Sequence, residues 1–102
     1  MTHRLVIQNS ARRHWNREFE RYRDIRAELA LRFNAQLERT LRRIAEHPFA
    51  APVVYRDFRS APINKFPYRV YYRVTDDRIL VGVIFHVKRN PRKLKEELRD
   101  SG

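Results

Sequence analysis

Apolar side chains recur at helical spacing through the first half of the chain and at alternate positions through much of the second, behind a short β-rich run. Arg4-Leu5-Val6-Ile7-Gln8 is that run, and Asn9-Ser10 closes it and can cap a following helix. From Ser10 to about Arg23, Trp15, Phe19 and Tyr22 fall on one helical face, while Arg12, Arg13, Arg17, Glu20 and Arg21 supply the wet side. A second helix is predicted from about Ile25 to His47, with Leu29, Phe33, Leu37, Leu41 and Ile44 as its stripe and Pro48 as its stop. No Gly or Pro separates the two, so a single long helix competes with a hairpin. So long a stripe would find nothing to cover it in so short a chain, which favours a break with Asp24 as the second N-cap.

Beyond Pro52 the pattern becomes that of strands. Phe58 to Lys65 reads as an edge strand, because Pro62 has no N–H to give to a ladder. Tyr68 to Val74 alternates, with Tyr68, Val70, Tyr72 and Val74 on one face and Arg69, Tyr71 and Arg73 on the other. Ile79 to Val87 is almost wholly apolar and suits a central strand. Asp76-Asp77 fits a two-residue turn between them. If Thr75 faces Arg78, Arg73 lies opposite Leu80, Tyr71 opposite Gly82 and Arg69 opposite Ile84, with His86 farther along the same face. Gly82 then leaves room for the Tyr71 ring, and the opposite face, with Val70, Tyr72, Val74, Ile79, Val81, Val83 and Phe85, receives the helices. A short helix follows from about Arg92 to Arg99. The expected fold is α+β in a single domain over residues 1-102: an N-terminal short strand, a helical hairpin packed on one face of an antiparallel sheet, and a short C-terminal helix.

Composition narrows the chemistry. The 102 residues are too few for a separate cofactor lobe. Zero cysteines exclude disulfides, thiolate metal sites and a cysteine nucleophile. His3, His14 and His47 lack metal-ligand spacing, and two glycines cannot build a phosphate loop, so neither a metal nor a cofactor is expected. The longest apolar run, Ile79 to Phe85, is far too short to span a bilayer, and no signal-peptide core interrupts the charges near the start; a cytoplasmic protein is expected. The net charge of +11 favours an anionic partner. Arg56 to Lys95 alone carries eleven basic and three acidic residues, which makes the sheet half the anion-facing half.

The segment Arg59-Ser60-Ala61-Pro62-Ile63-Asn64-Lys65-Phe66-Pro67-Tyr68-Arg69-Val70-Tyr71-Tyr72-Arg73-Val74, the apolar strand Ile79 to Val87 and the closing His86-Val87-Lys88-Arg89-Asn90-Pro91 carry a recognisable pattern. It resembles the RelE/ParE superfamily of bacterial toxins, most closely the ParE-like, plasmid-stabilisation branch. The resemblance implies a toxin of a type II toxin–antitoxin pair, held in a hetero-oligomer by an acidic antitoxin whose flexible segment wraps it. It implies action on DNA gyrase for a ParE-like member. For a RelE-like member it implies metal-independent cutting of mRNA on the ribosome. The RelE pattern usually carries a Tyr in its C-terminal segment, and Arg92 to Gly102 contains no aromatic residue. A third reading is a non-catalytic nucleic-acid-binding module using the basic sheet half.

For the nuclease, His86, Arg69 and Arg73 are the catalytic candidates: two guanidinium groups to hold a phosphate and an imidazole to move a proton. Arg59, Lys65, Tyr71, Lys88 and Arg89 are candidates for binding an anion or a partner. Each has a plainer reading. His86 fits a hydrogen-bonded structural histidine, Arg69 and Arg73 a solvated sheet face beside Tyr71, and the Arg-rich helix faces ordinary surface.

Overall fold

The computed structural model describes residues 3–101. Its elements are β1 (Arg4–Ile7), α1 (Asn9–Ile25), α2 (Ala27–Glu46), β2 (Val53–Tyr55), β3 (Phe58–Pro62), β4 (Tyr68–Val74), β5 (Arg78–His86) and α3 (Pro91–Ser101). The five strands form one sheet in the order β1-β5-β4-β3-β2. β2 to β5 run antiparallel, and β1 joins parallel to β5, reached through the helices. The apolar strand β5 is interior, as its composition requires. The edge on the far side is β2, which the sequence pattern does not mark, and β3 lies inside it. Pro62 is tolerated there because β2 pairs only with Phe58 and Arg59 and stops short of it.

The two helices form the hairpin, broken by one extended residue, Arg26 (φ −163°, ψ 136°), rather than at Asp24. Neither helix uses a side-chain N-cap, so Asp24 and the Asn9-Ser10 pair do not cap as expected. Trp15 donates from Nε1 to Asn34 Oδ1 at 2.7 Å and ties the helices together. The α2 stripe packs as its period demands, with Phe33 and Leu37 fully buried against Val70, Tyr72, Ile79, Val81 and Ile84. α1 differs: its buried residues are Ala11, His14 and Glu18, while Phe19 stays partly exposed.

The β4–β5 hairpin begins as expected. Thr75 N–H donates to the Arg78 carbonyl at 2.8 Å, and Arg73 pairs with Leu80. Two residues on, the register shifts: Tyr72 faces Val81 and Tyr71 faces Val83, leaving Gly82 as the extra residue of a β-bulge. Every β5 side chain past that point exchanges faces relative to a regular ladder. Ile84 therefore joins the hairpin side, while Val83 and Phe85 cross to the other side with Phe58, Tyr71 and Leu98. That second face is not open: α3 lies on it, with Leu98 only 2% exposed. A Cβ on Gly82 would stand 3.1 Å from Ser101 Cβ and 3.1 Å from Gln8 Oε1, tighter than ordinary contact, so glycine lets the α3 terminus close over the bulge without displacing either side chain.

Candidate basic cleft and its supports

The bulge decides which candidate residues meet. Tyr68 pairs with His86, which puts both on the hairpin side, while Arg69, Tyr71 and Arg73 face α3. The expected juxtaposition of Arg69 and Arg73 with His86 on one uncovered face is therefore absent: the three are divided between opposite faces of the sheet, and the arginine face is covered.

On the α3 face the arginines are occupied with the protein itself. Arg69 donates from Nε to Ser60 Oγ at 2.7 Å, and Arg73 reaches the Ser101 carbonyl at 3.4 Å with its guanidinium 5.3 Å from the centre of the Phe58 ring. Tyr71 is buried beside them, which leaves little of its ring for a partner. Arg59 lies on the other face and donates to the Phe49 and Ala51 carbonyls at 3.2 and 2.7 Å, bracing the loop behind α2. Lys65 takes a left-handed turn (φ 69°) and lines a separate groove with Leu29, Gln36 and Phe66.

His86, Lys88 and Arg89 do come together, and α1 supplies their neighbours. A cleft of about 440 Å³ is lined by Arg17, Glu18, Arg21, His86, Lys88 and Arg89. Glu18 forms its buried floor at 2% exposure. Its carboxylate accepts from Arg17 Nε at 3.2 Å, from Arg21 at 3.4 Å and from the Tyr68 hydroxyl. A carboxylate so buried demands such donors, and the phenol that serves it carries the complementary perturbation. Burial, then the bond to Glu18, pushes the Tyr68 phenol far above its ordinary value. His86 packs edge-on against the Tyr68 ring, 5.1 Å between centres. Its Nδ1 accepts the Lys88 N–H at 3.0 Å, so a neutral ring carries its proton on Nε2.

A second buried imidazole supports the same region. β1 covers β5 only as far as Val81, and beyond it α1 satisfies the strand edge with side chains. Ser10 Oγ donates to the Gly82 carbonyl at 2.6 Å, and the Ile84 N–H donates to His14 Nδ1 at 3.2 Å. That fixes the His14 proton on Nε2, which donates to Glu97 of α3 at 3.0 Å. Burial holds the His14 imidazole below its ordinary value, against the opposing pull of Glu97. His14 thus joins α1, β5 and α3 at one point.

Sequence reasoning placed Arg17 and Arg21 on the solvated side of α1 and did not single out Glu18. The available signal was the row Arg13, Arg17, Arg21 at four-residue spacing, which sets three cations along one helix line.

A helical hairpin on a sheet of this strand order, entered by a parallel first strand, is the RelE/ParE-type fold. Within that class the chain belongs to the ParE toxin family of type II toxin–antitoxin systems, parDE, whose match spans residues 5–91. It is similar to Toxin ParE2 of Mycobacterium tuberculosis, in strains CDC 1551 / Oshkosh and ATCC 25618 / H37Rv, at 27% identity over 99 residues covering 96% of this chain and 94% of the relative. Its fold matches a solved chain from the chromosomal ParDE system of P. aeruginosa with a TM-score of 0.76 at 15% identity, covering 85% of this chain and 98% of that one. Membership of such a system implies an antitoxin partner. No helix among the described residues is long and apolar enough to cross a membrane.

Proposed function

We propose that this chain arrests growth in the cytoplasm by poisoning DNA gyrase, and that an acidic antitoxin neutralises it in a hetero-oligomer. The observation that carries the choice of target is the division of Arg69 and Arg73 from His86 by the Gly82 bulge. A phosphodiester-cleaving site needs its phosphate-holding cations and its proton carrier on one reacting group, within hydrogen-bond reach. Here the two sets face apart, and the arginines are bonded to Ser60 and Ser101. A poison that acts by binding needs no such constellation, only a rigid surface, and the +11 charge steers it towards an enzyme that holds DNA.

The test is induced expression in a bacterial host with and without the antitoxin. Growth arrest with loss of plasmid supercoiling and intact mRNA, relieved by the antitoxin, is the expected result. Arrest with mRNA cut on ribosomes and supercoiling unchanged transfers the chain to the RelE mechanism. Absence of toxicity together with salt-sensitive nucleic-acid binding leaves the non-catalytic binding module.

A further inference from the structure

We infer that the cleft between α1 and the β5–α3 turn is a docking site for the phosphate backbone of duplex DNA. This goes beyond the choice of gyrase as target and stands independently of it.

Four permanent cations, Arg17, Arg21, Lys88 and Arg89, surround a single carboxylate, so the cleft carries a net +3 with His86 neutral. That carboxylate is not available to a ligand. Glu18 lies under the arginines and grips one side of each guanidinium while Tyr68 holds it from below, which orients the two groups and leaves their remaining N–H donors facing out. Both arginine side chains remain more than half exposed despite these bonds. Arg13 extends their line by one further helical turn, is exposed, and makes no ion pair among the described residues. Successive members of the row are about 6 Å apart along the helix axis. On the facing wall the Lys88 backbone bond to His86 Nδ1 turns the imidazole so that its Nε2–H is the free donor.

The chemistry of the lining selects the occupant. All six residues are ionisable and none is an apolar anchor of the kind a bound peptide segment uses. Nor is an aromatic face offered for stacking an unpaired base: Tyr68 is 3% exposed and its ring is taken by His86. A row of fixed cations without base-reading or stacking groups suits a duplex, whose bases are already paired and whose outer surface is a line of phosphates. Binding of this kind is sequence-independent.

The experiment measures binding of the purified chain to a fluorescent 20-base-pair DNA duplex by anisotropy, from 50 to 200 mM salt. The variants are Arg17→Gln/Arg21→Gln and Lys88→Gln/Arg89→Gln. The control, Arg39→Gln/Arg42→Gln, removes the same charge from exposed positions of α2 outside the cleft. Lys88→Gln/Arg89→Gln changes only surface side chains, so it tests the site even if the α1 double variant folds poorly. For the unaltered chain, log affinity is expected to fall with log salt at a slope of about −3 to −4. Each cleft double variant is expected to lose about 1 to 2 of that slope and roughly 10- to 100-fold in affinity near 0.1 M salt, with the control keeping the slope. Equal losses in cleft and control variants, tighter binding of a single strand than of the duplex, or displacement of the duplex by a polyglutamate peptide at equal charge concentration would each overturn the assignment.

Discussion

Replacing His14 with alanine is expected to destabilise the fold far more than removing its acidic partner. The imidazole makes two bonds of unequal consequence. Its Nδ1 is the acceptor for the Ile84 N–H, on a strand edge that β1 no longer covers, and its Nε2 donates to Glu97, whose side chain is 29% exposed. Alanine strands a buried backbone donor, at about 1–3 kcal/mol, and removes the Glu97 bond, at about 1 kcal/mol for so wet an acceptor. The total is about 2–4 kcal/mol, or roughly 10–25 °C in melting temperature for a domain of this size. Glu97→Ala removes only the second contribution and is expected to cost about 1 kcal/mol. Acid gives an independent reading. The folded imidazole binds its proton less readily than the ordinary value of 6.5, because burial disfavours the charged ring against the opposing pull of Glu97, and a proton on Nδ1 would also displace the Ile84 N–H. The unfolded chain therefore binds more protons in the interval below 6.5, so this group's contribution is complete above 6.5 and is lost as pH falls through that interval. Urea denaturation followed by circular dichroism at pH 7.5 and 5.5 measures both effects. Equal costs for His14→Ala and Glu97→Ala, or an unchanged pH dependence in the histidine variant, would show that the imidazole does not serve the strand.

Tyr68→Phe removes one donor from the buried Glu18 carboxylate and is expected to cost about 1–3 kcal/mol in the same assay. In the unaltered chain the raised Tyr68 phenol stays protonated while an unfolded one ionises near 10, so its stabilisation is present below that pH and declines as pH rises past it; tyrosinate absorbance at 295 nm should lag in this phenol until unfolding. Gly82→Val places a branched side chain against Ser101 and Gln8 and is expected to cost about 1–3 kcal/mol, with hydrogen-exchange protection lost first in α3. Retained α3 protection in that variant would mean the helix does not depend on the bulge.

Much of the architecture is legible without coordinates because it rests on periodicity. The α2 stripe, the alternation of β4, the apolar interior strand and the Thr75–Arg78 turn all follow from local patterns that the tertiary structure leaves in place. α1 is less legible, since its core-facing positions hold His14 and Glu18, whose burial depends on partners at Ile84, Glu97 and Tyr68 far along the chain. The candidate site is misread for one residue's sake. Within a regular ladder Arg69, Arg73 and His86 share a face, and a single extra residue at Gly82 parts them. An isolated glycine inside a strand pattern is itself a bulge signal, but the same glycine also explains room for an opposing ring. The two are distinguished by the β4–β5 register, which pairs Tyr71 with Val83 and passes over Gly82.

The division of the arginines from the imidazole bears on mechanism, and gyrase itself offers the most direct test. A relaxed plasmid incubated with purified gyrase, ATP and this chain, then digested with protease under denaturing conditions, reports whether cleaved enzyme–DNA complexes accumulate. Linear plasmid in proportion to added chain, suppressed by the antitoxin, is the expected result. Normal supercoiling at a chain excess that cuts mRNA on translating ribosomes would contradict it.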